Sequence, residues 1–138
     1  MRKQYILNMT LLASVLFSGA IFSGVVLAEL DLSDFDDDLM RTMDDTNKYL
    51  EPDINAKNLK NAKEGTETIR QGLKWTEDYF AHKGGVDDGV KLAKDGQVLA
   101  QDILAALDKG DFDAAAASAR TMTKNCRSCH DLYKPLTK

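Results

Sequence analysis

Leu59, Ala62, Thr66, Ile69, Leu73, Thr76 and Phe80 recur at spacings of three and four along one unbroken segment. That period draws a single stripe down one face of a helix. No stretch of the chain alternates with period two, so no strand is expected. A chain built this way must bury its stripes helix against helix.

Three further segments carry the same spacing. The first helix is expected to start at Ser33 as N-cap, with Asp36 in capping-box position and the acids of "DLSDFDDDLM" at the positive end of the dipole. Its stripe is Leu32, Phe35, Leu39, Met43 and Leu50, and Pro52 is expected to stop it. The second runs from about Ile54 to Ala81, and "HKGG" at 82–85 breaks it, leaving His82 as a solvent-facing loop residue. The third places Val86, Val90, Ala93, Gln97, Ala100, Leu104 and Leu107 on its stripe. "KGD" at 109–111 breaks again, with Asp111 as the next N-cap. The fourth carries Phe112, Ala115, Ala119, Met122, Cys126, Cys129 and Tyr133. Short connections between such helices predict an all-α, antiparallel up-down-up-down four-helix bundle.

The first residues have another character. Arg2 and Lys3 precede a long apolar run with no charge before Glu29, and the run ends in "VVLA". This is the three-part form of a secretory signal over 1–28, with cleavage after Ala28; an uncleaved anchor is the alternative. Residues 29–138 then form one domain in the periplasm. Losing Arg2 and Lys3 moves the formal charge from −4 to −6. An acidic exported domain without a basic stripe excludes a nucleic-acid partner, and nothing beyond residue 28 is apolar enough to span a membrane.

Both cysteines of the chain fall in "KNCRSCHDLYKP", three apart, with a histidine after the second. Cys126 and Cys129 lie on the inward stripe, and His130 is four residues after Cys126, so all three share one turn. A thiol–disulfide centre would open a helix of a thioredoxin-like fold, where the N-terminus lowers a thiol pKa; this pair closes an all-α chain. Zinc wants four ligands, and outside the motif only His82 is a usual soft donor. A structural disulfide stays open in an exported chain. Covalent haem c uses all three residues: two thioethers hold the porphyrin edge and His130 reaches the iron.

A bundle with C-x-x-C-H on its last helix resembles the cytochrome c′ (c-prime) family, which includes low-spin relatives with a methionine ligand. Its C-K-x-C-H followed by an aromatic and a basic residue is similar to "CRSCHDLYK", with Arg127 for the lysine, then Tyr133 and Lys134. Met40 is roughly 10 Å into the first helix and His130 roughly 6 Å from the end of the antiparallel fourth, so the two stand near one height. The resemblance implies a methionine ligand in this part of the first helix, and "DLMR" matches. Met43, on the stripe, competes, and an open iron face is the other option. Trp75, Tyr79 and Phe80 are expected to pack the core and the haem pocket. Arg41 or Lys134 are candidates for the propionates, with a solvated charge the default. "DAAAASA" reads as a close helix contact, and the resemblance adds a homodimer through helix faces.

Two functions follow. His/Met ligation gives an electron carrier between redox partner proteins; an open apolar face gives a binder of NO or CO. Neither is an enzyme, since no nucleophile–base pair, paired carboxylates or phosphate loop is present. Export is checked directly: the chain recovered from the periplasm is expected to begin at Glu29 by mass, and a cytoplasmic chain that keeps Met1 contradicts it.

Overall fold

The computed structural model describes residues 32–134. The apolar leader read over 1–28, the first residues of the expected mature domain and Pro135 lie outside the described residues. Within them the chain is an all-α four-helix bundle of α1 (Asp37–Asn55), α2 (Leu59–Lys83), α3 (Asp87–Asp108) and α4 (Phe112–Tyr133). Each helix packs on its neighbours in the chain and α4 returns to α1, which closes an antiparallel ring. The α1–α4 seam is the thinnest of the four. Among the described residues no helix is long and apolar enough to cross a membrane.

The helix starts follow capping chemistry. Asp111 accepts the Ala114 N–H at 2.9 Å, as expected. The start of α1 differs from expectation: Asp36, not Ser33, is the N-cap, and its carboxylate accepts the Leu39 N–H at 2.9 Å. The reason lies one residue earlier. Phe35 is drawn into an aromatic box, with ring centroids 5.0 Å from Trp75 and 4.8 Å from Tyr79. Asp34 accepts from Tyr79 Oη at 2.6 Å and Lys83 Nζ at 2.7 Å. Residues 33–35 therefore turn onto α2 and do not begin a helix.

Pro52 does not stop α1 either; it sits inside the last turn. Proline there leaves one upstream carbonyl without its intrahelical donor. Burial of Leu50 and Ile54, 2 % and 0 % exposed, carries the helix through. The stop falls at Lys57, in the left-handed region with φ 57°, where the Lys57 N–H donates to Ile54 O and the Asn58 N–H to Asp53 O. This is the hydrogen-bond pair of a Schellman motif, built here without glycine. Gly110, with φ 71°, closes α3 by the same pair of bonds to Leu107 O and Ala106 O.

The stripe of α2 is buried as expected apart from Leu59, which is 41 % exposed. The face of α3 is rotated from expectation. Gly89, Ala93, Gly96, Ala100, Ile103 and Leu107 are buried, while Val90, Gln97 and Leu104 are only half-buried. Small residues let neighbours in: a Cβ at Gly96 would stand 2.8 Å from a Leu73 methyl, and one at Gly89 would stand 3.1 Å from both Phe80 and Tyr133. On α4, Ala115, Ala116 and Ala119 are buried in the core, so the alanine run is a close contact within the bundle.

The Asp34 clamp predicts a pH dependence. Its hydrogen bonds, that from Lys83 first and that from Tyr79 second, hold the Asp34 carboxyl down at about 2, against 3.8 for the free group. A carboxylate depressed by folding stabilises the fold above its unfolded pKa, and that stabilisation is lost as pH falls through the folded value. Asp34→Asn is expected to flatten the fall of Tm between about pH 4 and pH 2 and to leave a smaller pH slope than wild type. Parallel curves for the two proteins across that window contradict it.

Candidate cofactor site

At the end of the bundle where α4 finishes and α1 begins, all four helices surround a cavity of about 30 Å3. That is room for about one water molecule. Met40, Met43 and Asp44 reach it from α1; Ile69, Leu73 and Thr76 from α2; Leu92 and Ala93 from α3; Asn125, Cys126, Cys129 and His130 from α4. The three residues of C-x-x-C-H and Met40 thus share one cavity, as the spacing predicts.

The central contact joins α1 to α4. His130 Nε2 lies 3.4 Å from Met40 Sδ, and both residues are half-buried. Asp44, one turn after Met40, brings Oδ1 to 3.9 Å from His130 Nε2 and Oδ2 to 3.4 Å from Lys134 Nζ. Further down the same seam Thr123 Oγ1 donates to Asn47 at 3.3 Å and Arg120 to Glu51 at 2.8 Å.

Met43 is also at the cavity, but it is 5 % exposed and its thioether rests on Gly72, where no Cβ would fit. It is packing between α1 and α2. His82 is exposed on the last turn of α2, not in a loop, and is not at the cavity. Arg41 pairs with Asp38 at 3.0 Å in solvent, and Lys134 with Asp44. Trp75, Tyr79 and Phe80 do not line the cavity. They hold Phe35, and Phe80 also meets Tyr133 at 4.7 Å between ring centroids. Of the three only Phe80 is buried in the core; Trp75 is 37 % exposed and Tyr79 half-buried, because their shared work is to hold the turn before α1. Asp44, Asn47, Thr76 and Asn125 are additions to the site. The i, i+4 relation to Met40 was the available signal for Asp44; the Asn125 amide, which donates to Leu92 O at 2.8 Å, had none.

The thiols have a definite chemistry. Burial pushes Cys126 and Cys129 up to about 11, helped by the Asp44 charge at Cys126 and the Asp88 charge at Cys129. A thiol–disulfide centre needs a lowered pKa, so this environment is the wrong one. A disulfide fits poorly too. Residues three apart on a helix hold their Cβ atoms about 5–6 Å apart, while a disulfide wants roughly 3.5–4.5 Å. Among the described residues no three His, Cys, Asp or Glu side chains are grouped to hold a bare metal ion.

A metal that brings most of its own ligands is a different case. His130 and Met40 are one nitrogen and one soft sulfur facing each other, which is the donor pair of a low-spin haem iron. His130 and Met40 would be the residues to hold such a group, which would supply a one-electron iron couple. The donor chemistry fits such a group, and the pair lies on the thin α1–α4 seam. No family model, curated protein or solved structure matches the chain.

Proposed function

We propose that this chain is an exported mono-haem c-type cytochrome that carries electrons between partner proteins, with His130 and Met40 as axial ligands. The observation that carries the reading is the 3.4 Å approach of His130 Nε2 to Met40 Sδ over a cavity shared with Cys126 and Cys129. The haem supplies a one-electron iron couple. The rest is the work of side chains. Cys126 and Cys129 tether the cofactor as thioethers, so it stays with the chain in the periplasm. His130 would supply a nitrogen ligand to the iron. The Met40 thioether, a soft donor, favours the reduced iron and raises its potential. Ile69, Leu73 and Leu92 keep the site apolar. With His130 and Met40 both as ligands, the role would need no substrate and no catalytic base. A formal charge of −4, or −6 without the leader, suits a basic redox partner.

The apolar lining also favours a second reading. If Met40 only packs, a small neutral ligand such as NO or CO has a place to bind, and the protein is a five-coordinate gas binder.

Covalent attachment is the first test. Haem in the exported protein is expected to stay with the chain in acid acetone, and freely extracted haem ends the reading. The second test separates the two functions. Met40→Leu keeps the volume and removes the sulfur. It is expected to convert a low-spin spectrum to a high-spin one, to admit carbon monoxide and to lower the potential. Met40→Ala should do the same at a further stability cost, in the lower half of ~2–5 kcal/mol because Met40 is only half-buried. A spectrum and carbon monoxide affinity unchanged in Met40→Leu assign Met40 to packing, and a high-spin wild type assigns the gas-binding role before any substitution.

A further inference from the structure

One charged side chain at the cavity has no part in the ligation just described. Among the described residues that line the cavity, Asp44 is the only Asp, Glu, Lys or Arg. We infer that Asp44, held in place by Lys134, is the charge that sets how readily the site releases its electron. The inference rests on a haem bound at Cys126, Cys129 and His130, but not on Met40 being a ligand.

The position is specific. Asp44 is one turn from Met40 on α1, with Oδ1 3.9 Å from the His130 ring nitrogen. Its side chain is 35 % exposed, so water covers only part of the carboxylate. The distance is well inside the Debye length of about 8 Å at physiological ionic strength. Other acids near the start of α1 differ on both counts. The Asp38 side chain is 90 % exposed and paired with Arg41, and it is not at the cavity.

The sign follows from charge alone. With haem bound, reduction by a donor protein would add one electron to the iron, with no bond made or broken and no proton required to move, so the centre would lose one unit of positive charge. A carboxylate beside it therefore stabilises the oxidised form more than the reduced form and lowers the potential. Lys134 partly offsets this charge, but its side chain is 61 % exposed and lies on the outer oxygen, 3.4 Å from Oδ2. Its own field at the site is the more screened of the two. The pair thus acts as a negative charge turned inward with its counter-charge turned to solvent. Met40 and Asp44 would then pull the potential in opposite directions from successive turns of one helix.

The test is a redox titration of the exported holoprotein. Asp44→Asn keeps the shape and removes the charge; its potential is expected to rise, with the absorption spectrum unchanged and the shift persisting at high salt. Asp44→Glu should stay near wild type, and Asp38→Asn should not move the potential at high salt. Lys134→Gln should shift the potential the opposite way, downward, which gives a second measure if Asp44→Asn folds poorly. An Asp44→Asn potential equal to wild type overturns the inference. So does a shift that vanishes at high salt as a surface charge's would, or a changed spectrum, which would make Asp44 a support for ligand geometry. These outcomes leave the cytochrome reading intact. A high-spin wild type overturns the Met40 ligand alone, and the Asp44→Asn rise is still expected. A chain without covalent haem overturns both.

Discussion

Met43 sits over Gly72, and that contact sets how α1 faces the rest of the bundle. The thioether occupies the space where any other residue at 72 would carry a Cβ. Three residues advance a helix by about 300°, so Met40 is turned roughly 60° from Met43 around α1. With Met43 committed to α2, Met40 is turned to α4, where it meets His130. The Phe35 and Asp34 clamp fixes the start of the same helix, and buried Leu50 and Ile54 fix its end. The geometry of the candidate site is thus decided on the α1–α2 interface, opposite the Met40–His130 contact.

This arrangement explains why two methionines three apart can take different work. A buried methionine is adaptable filler, and Met43 behaves as one. Met40 is half-buried on the thin seam, where packing asks less of it. The side chains that close that seam further down, Asn47 with Thr123 and Glu51 with Arg120, are polar and reach solvent. Such contacts contribute little each. A seam of this kind separates at lower cost than the Leu50, Ile69 and Ile103 core behind it.

Much of this was legible in the residues. Periods of three and four located all four helices, and Asp111, Gly84 with Gly85, and Gly110 marked their breaks. The shared height of Met40 and His130 followed from helix rise and an antiparallel ring. The misses have physical causes. Pro52 reads as a stop, but the burial of Ile54 one half-turn later outweighs a single lost hydrogen bond. Lys57 hides a C-cap because a non-glycine residue seldom takes positive φ. On α3, Gly89 and Gly96 have no apolar side chain to score, so the stripe was drawn through Val90 and Gln97 instead. Glycine is inward there because Phe80, Leu73, Tyr133 and Asn125 fill the space that its missing side chain leaves. Asp34 and Phe35 fell to local capping logic; their partners are on α2, some 45 residues away in the chain.

The same long-range logic bears on the thiols. Burial and two carboxylates, Asp44 and Asp88, hold both cysteines protonated at neutral pH. Thiols of this kind are slow to exchange with other disulfides. That slowness protects a C-x-x-C pair that helical geometry already disfavours as a disulfide. Asp44 enters twice in that account: it raises the Cys126 thiol, and it stands beside His130. One carboxylate, placed a turn after Met40, thus faces both the Cys126 thiol and the His130 ring.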